Sequence, residues 1–391
     1  MQVSINKNIY LDNAATTPLN SAVLAAMTHY LKDSHLGNPS STHAHGREAK
    51  AAIEQARKTI AEIIRAKPSE IIFTSGGTES NNLFIRGLIS MHDIKHIISS
   101  RLEHHAVLHT IEDIVQKNNR ITVHWVEHKA NGELDMAHLE HLLKTYPHSL
   151  VSIMHANNEI GNINPIEQIA SLCQEYKCFF HTDTVQTIGC FPFDMQTLKV
   201  HALVGSAHKF HGPKGVGFLF LRKESKIHPL ITGGMQERGV RSGTENVPGI
   251  VGLAKALEIA YESQIANRKH LLSLKSLMIR LLKEHFGDKI SFNGLSGDLE
   301  KSMPTILNVS TPESPINDML LFRLDLLGVS ASGGSACSSG AQAGSHVLKA
   351  LSVNMQRGAV RFSFSHLNTE NDIRFAVEKL VEIYTEAGVL N

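Results

Sequence analysis

Between Ile71 and Leu221 short apolar runs alternate with longer segments of helical periodicity, and this alternation most narrows the folds open to the chain. Ile71-Ile72-Phe73, His96-Ile97-Ile98, Ile121 to Val126, Leu150 to Met154, Phe179-Phe180-His181 and Ala202 to Gly205 are strand-length. The stretches 78–88, 103–116, 135–144 and 165–176 are helix-length, the last opened by Pro165. Strands separated by helices predict an α/β domain with a mainly parallel sheet. Ligand sites in such sheets gather at the carboxyl ends of the strands. That rule points to the loop at Gly76, to His104, to Asn157, to Asp183 and to Lys209.

The flanks differ in character. Ile9-Tyr10-Leu11 reads as a short strand before a polar turn, and helices are predicted over 21–31 and 46–66. Residues 246–285 are mostly helical and too long for one ordinary helix, so two helices or one kinked helix are expected. Strands at 306–309 and 360–364 lie between helices at 316–327 and 371–387 and suggest a smaller α+β domain. The division expected is a large α/β domain over 16–262 and a small domain built from 1–15 with 263–391. At 391 residues the chain is long enough for two to three domains.

A net charge of +1 gives no field for nucleic acid or an anionic membrane. No apolar run approaches the ~18 residues that span a bilayer. No basic segment followed by an apolar one opens the chain, so a cytoplasmic protein with reduced thiols is expected. The 24 histidines show no zinc spacing, and no metal site is expected. Of the four cysteines, Cys173, Cys178 and Cys190 read as packing residues.

Lys209 lies on a Gly- and Pro-rich connection between Ala202-Leu203-Val204-Gly205 and the run Val216 to Leu221. A lysine held in a cleft beside other cations becomes a nucleophilic amine; one in a solvent-facing turn does not. Ser206 and His208 share its loop, and Asp183 closes a strand upstream. An amine for a Schiff base, an acid for a pyridine nitrogen and small donors for a phosphate are what a pyridoxal phosphate site needs. Gln186 could donate to the ring hydroxyl oxygen, although Asp183 could equally cap a helix. Thr74-Ser75-Gly76-Gly77-Thr78 leads into a helix whose bare N–H groups would favour an anion; an ordinary cap by Ser75 or Thr78 is the alternative. His104 could stack on a ring and shuttle protons, or be structural. Arg361 shares a strand face with Ser363, opposite Val360, Phe362 and Phe364; it could clamp a carboxylate or form a rim salt bridge. Cys337 sits in a Gly-, Ser- and Ala-rich run, 328–346, with too little apolar surface to pin itself down. A mobile, reactive thiol is expected there.

With these residues in view the chain resembles the cysteine desulfurases, pyridoxal phosphate enzymes of aminotransferase fold type I. The matching segments run in one order from about residue 9 to residue 383. They are Tyr10-Leu-Asp-Asn-Ala-Ala-Thr-Thr-Pro18, Gly37-Asn-Pro-Ser-Ser41, Phe73-Thr-Ser-Gly-Gly-Thr-Glu79, Glu103-His104, Asn157-Asn-Glu-Ile-Gly161, His181-Thr-Asp183 with Gln186, Ser206-Ala-His-Lys209, Gly212-Pro-Lys-Gly215, Arg238-Gly-Val-Arg-Ser-Gly-Thr-Glu245, Gly334-Ser-Ala-Cys-Ser338 and Val360-Arg-Phe-Ser363. The resemblance implies that Lys209 forms the Schiff base, that Asp183 and Gln186 hold the ring and that His104 stacks on it. It implies that Gly77, Thr78, Ser206 and His208 hold the phosphate. Thr244 would reach the phosphate of a neighbouring subunit, which implies a homodimer. Asn157 and Arg361 would bind the substrate carboxylate, and Cys337 would accept sulfur from L-cysteine, leaving L-alanine. The setting of Cys337 resembles the branch serving nitrogenase or general iron–sulfur assembly, so an iron–sulfur scaffold is among the expected acceptors. Three segments depart from the family pattern: Ser365-His366 stands where Gly-Arg is usual, Thr184-Val185 replaces smaller residues, and 351–358 is short. A selenocysteine lyase or small aminotransferase on the same fold, and a cofactor-free carrier of sulfur or metal, are the alternatives.

Overall fold

The alternating segments fold into one sheet in the computed structural model, which describes residues 8–32, 37–333, 344–354 and 356–390. In chain order the first elements are β1 (Ile9–Tyr10), α1 (Ser21–His29), α2 (Ala44–Ile63), β2 (Ile71–Thr74), α3 (Gly77–Met91), β3 (His96–Ser100), α4 (His105–Lys117), β4 (Thr122–Val126), α5 (Met136–Thr145), β5 (Leu150–Ser152), α6 (Ile166–Glu175), β6 (Phe179–Asp183), β7 (Ala202–Ser206) and β8 (Gly217–Leu221). Then come α7 (Val247–Glu262), α8 (Gln264–Phe286), β9 (Ser291–Phe292), β10 (Ile306–Glu313), α9 (Leu320–Leu326), β11 (Val329–Ser330), α10 (His346–Ala350), β12 (Arg357–Ser363) and α11 (Glu370–Glu386).

Seven strands form the main sheet in the order β2-β8-β7-β6-β5-β3-β4. β3 to β7 pair in parallel, while β8 runs antiparallel to both β7 and β2. Helices cover both faces, so strands such as β5 and β7 are buried along their whole length. This is why they read as unbroken apolar runs rather than alternating ones. Several helix starts follow short polar side chains: Asn20 accepts from the N–H of Ala22, Asp135 from those of Ala137 and His138, and Asn246 from that of Gly249. α3 starts differently: its N-cap is Gly76, and no side chain caps its first turn.

The long helical stretch is two helices that meet at Ser263. They serve different cores. Leu253 and Leu257 of α7 join the core that packs on the main sheet. Leu274, Met278 and Leu282 of α8 join a second core with β10, β12 and α11. Ile9 and Leu11 belong to this second core, because β1 pairs with β11 in parallel, Ile9 opposite Val329. Val360, Phe362 and Phe364 face that core as the alternation predicts. Among the described residues no helix is long and apolar enough to cross a membrane, and no cluster of metal-ligating side chains occurs.

Candidate active site

The carboxyl ends of β2, β5, β6 and β7 and the loop after β3 surround a cavity of about 200 Å³. Its walls include Gly77, Thr78, His104, Asp183, Gln186, Ser206, His208, Lys209 and Arg361. Lys209 is placed by a single 3-10 turn, Ala207–Lys209, between the antiparallel strands β7 and β8. Its Nζ donates to the carbonyl oxygens of Ala14 (2.5 Å) and Ala15 (2.9 Å). The polar turn after β1 therefore seats the amine. Gln186 Nε2 donates to the same Ala14 oxygen at 3.0 Å.

Asp183 ends β6 and is buried. One oxygen accepts from the N–H of Val185 (2.9 Å) and the other from Asn81 Nδ2 (2.7 Å). His104 serves both readings of the sequence. Its Nδ1 accepts from the N–H of Ala106 at 3.1 Å, capping α4, while its ring lines the cavity. That bond leaves the proton on Nε2. Burial pushes the imidazole below its ordinary range, with Lys209 adding to the effect and Asp183 opposing it. The preceding residue, Glu103, is fully enclosed, and burial drives its carboxyl well above the usual range. It accepts from the N–H of Met154 at 2.6 Å, which ties the His104 loop to the end of β5.

The opposite end of the cavity is built for an anion. Gly76 has φ 151° and ψ −174°, a region essentially limited to glycine. A Cβ on Gly77 would sit 2.7 Å from Val185 Cγ2. The two glycines thus leave the uncapped N–H groups of α3 open toward Ser206, Thr78 and His208, the donor set a phosphate needs. His208 Nδ1 lies 3.1 Å from Thr16 Oγ1, and burial, with Lys209 and Lys214 nearby, lowers its pKa to about 4. It is a neutral donor at pH 7. These residues fit pyridoxal phosphate: a helix start opened by two glycines, a carboxylate held by two N–H groups and an amine across from it.

Arg361, on β12, is almost fully buried. It donates to Asp12 Oδ1 and to the Asn158 carbonyl, each at 2.8 Å, while its Nε has no hydrogen-bond partner. Asn157 does not line the cavity. Its amide donates to the Leu102 carbonyl at 2.7 Å, and its oxygen accepts from the N–H groups of Glu159 and Ile160. Asn158 lines the cavity in its place. Thr244 is exposed beside a separate depression, with Tyr30, Asn38 and Asn246. Cys337 lies outside the described residues. Cys173 and Cys178 are buried, but Cys190 is only half-buried, and burial pushes its thiol up to about 11. It lines a neighbouring cavity of about 260 Å³, which shares Ala14, Gln186 and Lys209 with the first but has neither the carboxylate nor the helix start. Sequence reasoning missed Asn81, Asn158 and the carbonyls of Ala14 and Ala15. Asn81 was accessible in principle: it lies one helical turn after Gly77, on the face α3 turns to the sheet.

Residues 9–375 match the family described as Aminotransferase class-V. The cysteine desulfurase IscS of Dictyoglomus turgidum is 44% identical over 383 residues, covering 97% of this chain and 95% of that protein. A solved NifS-like protein superposes with a TM-score of 0.88 at 38% identity, covering 97% of this chain and all of that one. The structure of SspA in complex with cysteine superposes with a TM-score of 0.77 at 32% identity, covering 92% and 99% of the two chains. The likeness spans nearly the whole chain, including every segment that builds the cavity. The chain belongs to the class-V aminotransferases and, within them, to the cysteine desulfurases.

Proposed function

We propose that this protein takes sulfur from L-cysteine, releases L-alanine and leaves a persulfide on Cys337. The observation that carries the reading is the single cavity in which Lys209, Asp183, His104 and the uncapped start of α3 converge. Pyridoxal phosphate, when bound there, supplies an electron sink for charge at the substrate α-carbon. The first turn of α3 with Thr78, Ser206 and His208 would hold the phosphate; Asp183 and Gln186 would hold the ring, and His104 would stack on it. Arg361, which lines the cavity, binds the substrate carboxylate, and the 157–161 turn shaped by Asn157 borders that position. Lys209 carries the α-proton, a task for which a seated amine is suited. The Cys337 thiolate attacks the substrate sulfur: the S–S bond forms, the C–S bond breaks, and the electron pair passes to the carbon skeleton, which is protonated to alanine.

Thr244 is exposed and lines a depression other than this cavity, which supports a homodimer in which it serves the neighbouring site. The three free cysteines among the described residues support a reducing, cytoplasmic setting. An iron–sulfur scaffold is the acceptor we favour, on the setting of Cys337 in the sequence. The test is incubation with L-cysteine and no 2-oxo acid. Stoichiometric alanine with a persulfide mapped to Cys337 is expected, and Cys337→Ala keeps its bound cofactor but makes no persulfide. Alanine that appears only with an added 2-oxo acid would make the protein a transaminase.

A further inference from the structure

Behind Asp183 a chain of side chains runs away from the cavity into the core. Asn81 Nδ2 lies 2.7 Å from Asp183 Oδ2. His181 Nε2 lies 3.0 Å from Asn81 Oδ1, and His181 Nδ1 lies 2.9 Å from Ser152 Oγ. Ser152 and His181 have no exposed surface and Asn81 has 1%. The direction of every bond follows from one end. An ionised carboxylate only accepts, so the amide must present N–H to Asp183. Its oxygen then faces His181 and requires a donor, which places the imidazole proton on Nε2. Nδ1 is left bare, so the Ser152 hydroxyl donates to it. Burial holds His181 down to about 4, which keeps this neutral form at pH 7. The ring is fixed from the side by Phe84, stacked at 5.4 Å and 17°.

We propose that Asn81, oriented by His181 and Ser152, is a positioning residue for Asp183: the relay ensures that an N–H, never a carbonyl oxygen, faces the carboxylate. An amide turned by 180° would set its oxygen against the carboxylate, at a distance where two acceptors repel. The Val185 N–H fixes the other Asp183 oxygen. The carboxylate therefore can neither rotate nor lose its partner, and each oxygen keeps acceptor capacity toward the cavity. His181 never touches the cavity wall and acts only through Asn81. The inference rests on the reading that Asp183 holds the pyridine ring of the cofactor.

The test measures pyridoxal phosphate affinity of the apoprotein by fluorescence titration, with the absorption maximum of the bound cofactor as a second readout. Asp183→Asn tests the underlying reading: unchanged affinity and spectrum in that variant would remove Asp183 from the site. His181→Phe and Asn81→Asp are expected to weaken binding at least ~10-fold, the scale of a lost hydrogen bond to a charged group, and to move the absorption maximum. His181→Gln, whose amide N–H reaches the same oxygen, is expected to return within ~3-fold of wild type. Ser152→Ala removes only the distal hydroxyl and is expected to shift the absorption maximum while the apoprotein melts as wild type. Thr182→Val, at a buried hydroxyl with no hydrogen-bond partner on the same strand, is the packing control and should change neither readout. If Asp183→Asn weakens binding while His181→Phe and Asn81→Asp do not, the relay is refuted and the site reading stands. Equal losses in His181→Phe and His181→Gln would also refute it, since packing rather than the N–H would then be at stake. If His181→Phe does not fold, Ser152→Ala and His181→Gln decide between the same outcomes.

Discussion

Arg361 holds the structure together and, in the proposed function, also meets the substrate. Two of its nitrogens hold Asp12 and Asn158, and a third has no partner. A lysine there would keep the charge but lose the planar fork that meets a carboxylate. Arg361→Lys is therefore expected to raise KM for L-cysteine ~10- to 100-fold with the bound-cofactor spectrum unchanged; steady-state kinetics beside an absorption scan check it. Much of this residue's situation was legible, because alternation along the strand assigned its face. Asn157 and Asn158 were not separable in the same way. Both are asparagines in one loop, and only the turn that draws Asn157 toward Leu102, Glu159 and Ile160 turns its neighbour to the cavity. The Ala14 and Ala15 carbonyls left no trace in the sequence, since a backbone oxygen carries no residue signature.

At the scale of elements, the start of α3 decides how an anion is received. The sequence allowed a capped helix or an open one, and the structure has the open form, with Gly76 as N-cap. Gly77 is where backbone and neighbour are closest, so Gly77→Ala must displace Val185, whose N–H holds Asp183. The expected outcome is at least ~10-fold weaker pyridoxal phosphate binding with the melting temperature nearly unchanged, read by titration and calorimetry. Element types were legible because each core strand is a short apolar run and each helix has a 3.6-residue pattern. The antiparallel insertion of β8 between β2 and β7 was not, because strand order depends on long-range pairing that no local pattern encodes.

Across the whole molecule, burial of imidazoles sets a response to acid. His155, His181, His201, His208 and His211 are each lowered to about 4 from an ordinary 6.5, with burial the largest cause. Between these values the unfolded chain binds protons that the native state refuses, so stability rises with pH across the window. It is fully present above about pH 6.5 and falls as pH drops toward 4. For His155 and His181, the least exposed of the five, the loss at pH 4 is on the order of 3 kcal/mol each. Urea midpoints should fall steadily between pH 7 and pH 5, and a flat profile would contradict the account. Chain order has its own effect at this scale. Asn13, next to the carbonyls that seat Lys209, donates to the Ser363 carbonyl across 350 positions. Ile9 and Leu11 find their core only with β11 and β12. A ribosome makes position 363 long after position 13, so the seat for the amine is assembled only once that later segment has emerged. Nascent chains stalled short of position 363 should remain blind to the vitamin.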